Sequence, residues 1–223
     1  MERAIIRFTG VTRGGGYKHM PLFVDGMGKM GSVVTYDQML SDRGRLSGVA
    51  TELLQTLAPR LSAQFQPLVS VYLAPLVQLL GRPNKVFLKR AEKCLWTIIS
   101  NCHLPSILVE LRRGLSDEAA TCRRGCASGF ERALMEWERG KFGEKGVAIL
   151  EEALRKVGAD KDPEVRATGK RIWVLFSEMW PERVDDFSAP LTPTIRRYLG
   201  VSAAASSQAG PSKPKPAPAR RPP

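Results

Sequence analysis

The 223-residue chain is 43% hydrophobic and carries a formal net charge of +12, enough apolar content for one sizeable core and too much for a disordered chain. The basic balance calls for an acidic partner, whether a protein face, nucleic acid or an anionic membrane. Four cysteines in a chain of this length, with no secretory pattern at the start, argue for reduced, buried thiols over a disulfide framework.

No apolar run reaches the roughly 20 residues that span a bilayer, so a soluble, intracellular protein is expected. Residues 1–40 are rich in Gly and Met, with Gly14, Gly15 and Gly16 in a row and no sustained period. They read as a poorly ordered or divergent N-terminal arm.

A helical pattern begins after the polar turn 41–45, where Leu46, Ala50, Leu53 and Leu57 form a stripe that closes near Pro59. Residues 65–80 supply a second apolar helix, with Pro67 near its start and Pro75 inside it. Next comes GRPNKVFLKRAEKCLWTIIS, residues 81–100, in which Pro83 lies outside the helix and Asn84 caps its first turn. Leu88, Ala91, Leu95, Ile98 or Ile99 and Cys102 make its buried face.

A helix over 106–115 and a turn at 116–118 lead to one buried along Cys122, Cys126, Phe130, Ala133 or Leu134, and Trp137. The link 139–145 precedes an apolar helix over 147–157. After the turn 158–163, Val165, Gly169, Ile172, Phe176 and Met179 face the core, and Trp180-Pro181 ends the run. Residues 193–199 cap the array, and the Ser-, Ala- and Pro-rich tail 200–223, with four positive charges, reads as disordered.

Laid over one another, the second helices place Leu46, Leu88, Cys122 and Val165 at equivalent positions, 42, 34 and 43 residues apart, and pair Lys93 with Lys170 and Trp96 with Trp173. Two helices per unit at a period of about 40 residues indicate an all-α HEAT-repeat solenoid of about four to five recognisable hairpins, over residues 41–199.

In such a stack the turns within hairpins align along one edge. They carry Arg43 and Arg45; Arg82, Asn84 and Lys85, with Lys89 one helical turn on; Arg123 and Arg124; and Lys161 with Arg166. Cations about 10 Å apart, the usual separation of packed helices, suit a broad acidic protein face and predict salt-sensitive binding. Arg166, four residues after Asp162, has an alternative as a local ion pair, and so has Arg123. Lys85 opposes the helix dipole, which favours a binding role. Trp96 and Trp173 read as core. Cys122 and Cys126 lack a second ligand pair, since His19 and His103 are isolated, so no metal is expected. No nucleophile, phosphate or dinucleotide motif stands out, and neither an enzyme nor a cofactor is expected.

The runs SDRGRLSGVATELLQTLAPRL, GRPNKVFLKRAEKCLWTII and DKDPEVRATGKRIWVLFSEMWPERVDDFSAPLTPTIRRYL resemble the N-terminal-type TOG domain of the CLASP (cytoplasmic linker-associated protein) family. The resemblance implies a paddle of HEAT repeats whose intra-repeat turns bind tubulin and regulate microtubule dynamics, by stabilisation and rescue, at the cytoplasmic cytoskeleton and spindle. On that pattern Arg43 or Arg45 falls in the second-repeat turn, Asn84 and Lys85 in the third, Arg123 in the fourth, and Lys161 and Arg166 in the fifth. The first repeat is expected to be absent or replaced, because residues 1–40 contain no Trp. The basic tail would add contacts to acidic tubulin tails, and no membrane is involved. Two rivals stay open: a HEAT scaffold for another acidic protein, and a charge-driven nucleic-acid binder, which lacks aromatics at the exposed turns.

Overall fold

The computed structural model describes residues 1–30 and 36–201; the tail expected to be disordered lies, from residue 202 on, outside them. The helices are α1 (Glu2–Arg13), α2 (Met20–Met30), α3 (Tyr36–Met39), α4 (Gly44–Leu61), α5 (Gln66–Leu80), α6 (Lys85–Cys102), α7 (Pro105–Gly114), α8 (Ala120–Glu136), α9 (Gly143–Gly158), α10 (Pro163–Met179), α11 (Val184–Ser188) and α12 (Pro193–Leu199). No strand occurs among the described residues.

Two layers result. In one, α1, α4, α6, α8, α10 and α12 each pack on the next; in the other, α2, α5, α7 and α9 do the same. The hairpins α5–α6, α7–α8 and α9–α10 join the layers. This is the expected all-α HEAT-repeat solenoid.

The start of each second helix sets what it buries. Asn84 accepts a hydrogen bond from the Val86 N–H, and Asp162 accepts from Glu164 and Val165. Counted from the caps Asn84, Ala119 and Asp162, the third, seventh, eleventh and fourteenth residues are all buried: Phe87, Ala91, Leu95 and Ile98; Cys122, Cys126, Phe130 and Ala133; Val165, Gly169, Trp173 and Phe176. The equivalent of Cys122 in α6 is therefore Phe87, one residue before the Leu88 of the sequence alignment. The same slip moves the partner of Trp173 from Trp96 to Leu95. Trp96 is accordingly half-buried at the α6–α8 surface, with the Arg132 guanidinium 5.6 Å from its ring, and is not core.

Bonds between groups about 40 residues apart tie the repeats together. Arg13 pairs with Glu52 at 2.7 Å, Arg112 with Glu152 at 2.5 Å, Arg124 with Asp162 at 2.7 Å, and Arg171 with Glu131. The Trp137 indole N–H donates to the Ile99 carbonyl at 2.8 Å. At the edge away from the caps, Trp137, Phe142, Trp180, Phe176, Phe187 and Trp173 form a continuous aromatic cluster with neighbouring centroids 5.1–6.1 Å apart.

Residues 1–30 differ from the expected arm. α1 packs on α4, with Ile5, Thr9 and Thr12 buried, and the two threonine hydroxyls donate back to the Ile5 and Phe8 carbonyls. Phe8 stacks on Phe23 at 5.1 Å, Met27 is buried, and the Tyr72 hydroxyl donates to the Met27 carbonyl. A buried face made of one isoleucine and two threonines is too weakly apolar to show as a stripe.

The stretch Gly44–Leu80 is long and apolar enough to cross a membrane, against the expectation that no run is, but 56% of its most apolar part is buried. The cause is that α5 lies between α2, α6, α7 and α8 and buries side chains on several sides. The four cysteines are free and buried. Burial pushes the Cys102 thiol up to about 12 and raises Cys94 as well; a hydrogen bond with Cys122, and then burial, raises Cys126. Cys94, Cys102 and Cys126 are thus packing groups held in their neutral form.

Among the described glycines the closest approach is at Gly114, where an added Cβ would lie 2.3 Å from Cys126 Sγ and 2.7 Å from Val77 Cγ1. Gly114→Ala should destabilise the domain by about 1–3 kcal/mol in urea unfolding. Gly140→Ala, where a Cβ meets nothing within 4 Å, should leave the midpoint essentially unchanged.

Candidate functional site

Because α1, α4, α6, α8 and α10 run in parallel, their N-terminal ends share one edge. Glu2 at the start of α1 pairs with Arg45 at the start of α4 at 2.6 Å, and Arg82 before α6 reaches Asp42 before α4 at 2.6 Å. The cations expected from the turns all lie on or next to this edge, but they have two different jobs.

Some of them build it. Arg82 donates to the Asp42 carboxylate and the Leu40 carbonyl and lies 5.4 Å from the Phe87 ring centroid, clamping two neighbouring turns together. Arg123 corrects the expectation of a binding residue: its side chain is only 6% exposed. Its Nε and Nη2 donate to Asp160 at 2.8 and 3.2 Å, and Nη1 donates to the Asp117 and Glu118 carbonyls, both at 2.9 Å. Arg166 acts alike, with Nη1 donating to the Asp160 and Lys161 carbonyls at 2.8 and 2.9 Å while its guanidinium covers the Tyr198 ring at 4.6 Å.

Arg123 and Arg166 both stand four residues after their caps. The same position in α4 is Ser47, whose hydroxyl donates to the Met39 carbonyl at 2.7 Å. In these three repeats that position closes the turn preceding its helix, satisfying carbonyls that would otherwise lack partners, whereas α6 has Leu88 there.

The remaining cations are presented to solvent. Arg43 is exposed, and Arg45 keeps 82% of its side chain accessible while paired to Glu2. Lys85 and Lys161 are exposed, and no ion pair forms at either among the described residues. Asn84 is exposed while serving as a cap, and beside it Val86 is 54% exposed, an apolar side chain between cations that periodicity alone did not single out. Lys89, one turn further, faces a groove between α4 and α6 and lies off the edge proper. The α8 end carries no free cation. There Arg124 bridges Asp162 and Glu164.

Asp162 is the most strongly shifted carboxylate. Its hydrogen bond with Arg124, together with the Val165 and Glu164 N–H groups, outweighs desolvation and holds it at about 2. Among the described residues no group of three or more His, Cys, Asp or Glu could hold a metal.

A family model described as the CLASP N terminal matches residues 2–200. A CLIP-associated protein of Arabidopsis thaliana is 24% identical over 163 residues, 73% of this chain and 11% of that one. Protein stu1 of Aspergillus oryzae is 24% identical over 161 residues, 70% of this chain and 14% of that one. The matched region is thus a small part of either relative. Among solved structures, a chain from work on microtubule plus-end tracking by XMAP215, CLIP-170 and EB1 superposes with a TM-score of 0.61 at 16% identity, over 81% of this chain and 72% of that one. A chain from work on the TOG domain array of crescerin gives 0.62 at 13% identity, over 90% and 84%. Both likenesses are likenesses of fold.

Arg123→Ala takes the guanidinium from the Asp160 carboxylate, 8% exposed, which keeps only part of its compensation in the Asp162 N–H at 2.7 Å, and should cost roughly 3 kcal/mol by chemical denaturation. Because Asp162 ionises more readily folded than unfolded, where the value is about 3.9, its contribution is present above about pH 4 and is lost as pH falls through about 2. Asp162→Asn retains a capping side chain but not the charge, so its unfolding midpoint should fall less steeply than wild type between those pH values.

Proposed function

Since the chain belongs to the CLASP N-terminal family, we propose that it is a tubulin-binding TOG-like module whose intra-repeat edge docks on an acidic tubulin face. Neither the family nor the fold is that of an enzyme, and the reading needs no chemical step. The observation that carries it is the mouth of α6. Lys85 sits exposed in the first helical turn, where the dipole disfavours a cation, directly beside exposed Val86. Neither residue stabilises its own helix there, and together they offer a charge and an apolar contact to a partner.

Arg43 and Arg45 extend this surface on one side, and Lys161 lies further along on the other. They lie at or next to the starts of stacked helices, so little ordering is needed on binding. The cations act chiefly by steering the encounter and by pairing at the rim of the contact; Val86 and the stem of Lys85 supply area that is dried on docking. Arg82, Arg123 and Arg166 are positioning residues in this scheme. A module that binds tubulin in this way would regulate microtubule dynamics, stabilising and rescuing microtubules in the cytoskeleton and spindle. The four basic residues beyond Gly200 would add non-specific attraction to acidic tubulin tails.

Lys85→Glu/Lys161→Glu, exposed sites whose replacement leaves the core intact, should weaken microtubule co-sedimentation and co-elution with free tubulin by about tenfold or more. Wild-type binding should itself weaken with added salt. Unchanged binding at matched helical content would refute the edge as the docking surface.

A further inference from the structure

The surface groove between α4 and α6 has a volume of about 680 Å³ and is lined by Arg13, Arg60, Lys89, Arg90 and Lys93 against the single carboxylate of Glu52. That carboxylate is already paired with Arg13. Lys89 and Lys93 are exposed and make no ion pair among the described residues. Arg60 and Arg90 are held by backbone carbonyls, those of Thr56 at 2.7 Å and Gly44 at 2.5 Å, so no acidic side chain neutralises them. The floor adds little competing polarity, because the Thr51 and Thr56 hydroxyls are used by carbonyls of their own helix.

Part of this cluster is built in. The Arg90 guanidinium lies across α4 at Gly48, where a Cβ would come within 3.0 Å of its Nη1 and 3.3 Å of its Cζ. Any larger residue at 48 would push the guanidinium aside by a few tenths of an ångström.

We propose that this groove binds an extended acidic peptide segment rich in glutamate or aspartate. From Gly48 to Arg60 it runs about 18 Å along α4, the length of five or six residues of extended chain at about 3.3 Å each. Lys89 and Lys93, one helical turn apart, stand about 6 Å from each other, close to the roughly 7 Å between alternate side chains of a strand. A line of carboxylates on one face of the peptide therefore meets both lysines, with Arg90 and Arg60 at the two ends. The described lining contains no aromatic side chain on which a base would stack, which favours peptide over single-stranded nucleic acid. The groove lies beside the tubulin edge and does not depend on it.

The test is fluorescence anisotropy of a labelled deca-glutamate peptide with the full 223-residue chain, at two salt concentrations. Wild type should bind with an affinity that falls as salt rises. Arg60→Glu/Lys93→Glu should weaken binding at least about tenfold, the milder Arg60→Gln/Lys93→Gln should give an intermediate loss, and Lys85→Glu should stay within about twofold. All variants keep the basic tail, so differences between them report on the groove alone. Wild-type affinity in both groove variants, at matched circular dichroism, would overturn the proposal. Tighter binding of a single-stranded DNA oligonucleotide at the same salt, lost in the same variants, would also overturn it by assigning the groove to nucleic acid. The tubulin reading is judged separately, by Lys85→Glu/Lys161→Glu.

Discussion

Every feature of this chain rests on the stacking of each helix on its counterpart about 40 residues away. A single hairpin leaves one apolar face uncovered, and only the next repeat covers it. Phe87, Cys122 and Val165 occupy one position in that stack, and bonds from Arg13 to Glu52, Arg124 to Asp162 and the buried Trp137 to Ile99 repeat the same offset. The stack is also what makes an edge. Five helix starts stand side by side because five helices are parallel.

The charge of the edge divides according to the same stacking. Arg123 and Arg166 use their guanidinium groups on the carbonyls of the turns that precede their helices, and Arg82 bridges one turn to the next. Such groups hold the backbone of the edge in place and leave Arg43, Arg45, Lys85 and Lys161 as the ones a partner can reach. A net charge of +12 therefore overstates how many cations are free there. A further group of cations, Arg60, Lys89, Arg90 and Lys93, lies on the flank, where two helices of one layer meet.

Much of this was legible in the residues. The period of about 40, the helix-turn order from residue 41 on, the Asn84 cap and the alignment of the turns could be read from apolar spacing and from proline and glycine placement. The register inside α6 could not be read from apolar spacing alone, because Phe87 and Leu88 are both apolar and only the distance from the cap separates them. The burial of Arg123 was hidden for a similar reason: its partner, Asp160, lies in the next repeat, 37 residues on. Residues 2–30 escaped because α1 buries Thr9 and Thr12 through hydroxyl bonds to its own carbonyls, a face without hydrophobic contrast. Val86 went unnoticed as a site residue because an exposed valine in a helix resembles a core position until its surroundings are known.

Hydrogen exchange on the chain alone and with tubulin tests the central claim most directly. Docking through the intra-repeat edge should slow exchange at the starts of α6 and α10, around residues 84–89 and 160–166, and leave the aromatic edge at 137–142 and 180–187 unchanged. Protection centred on the aromatic edge, with residues 84–89 unaffected at saturating tubulin, would contradict it.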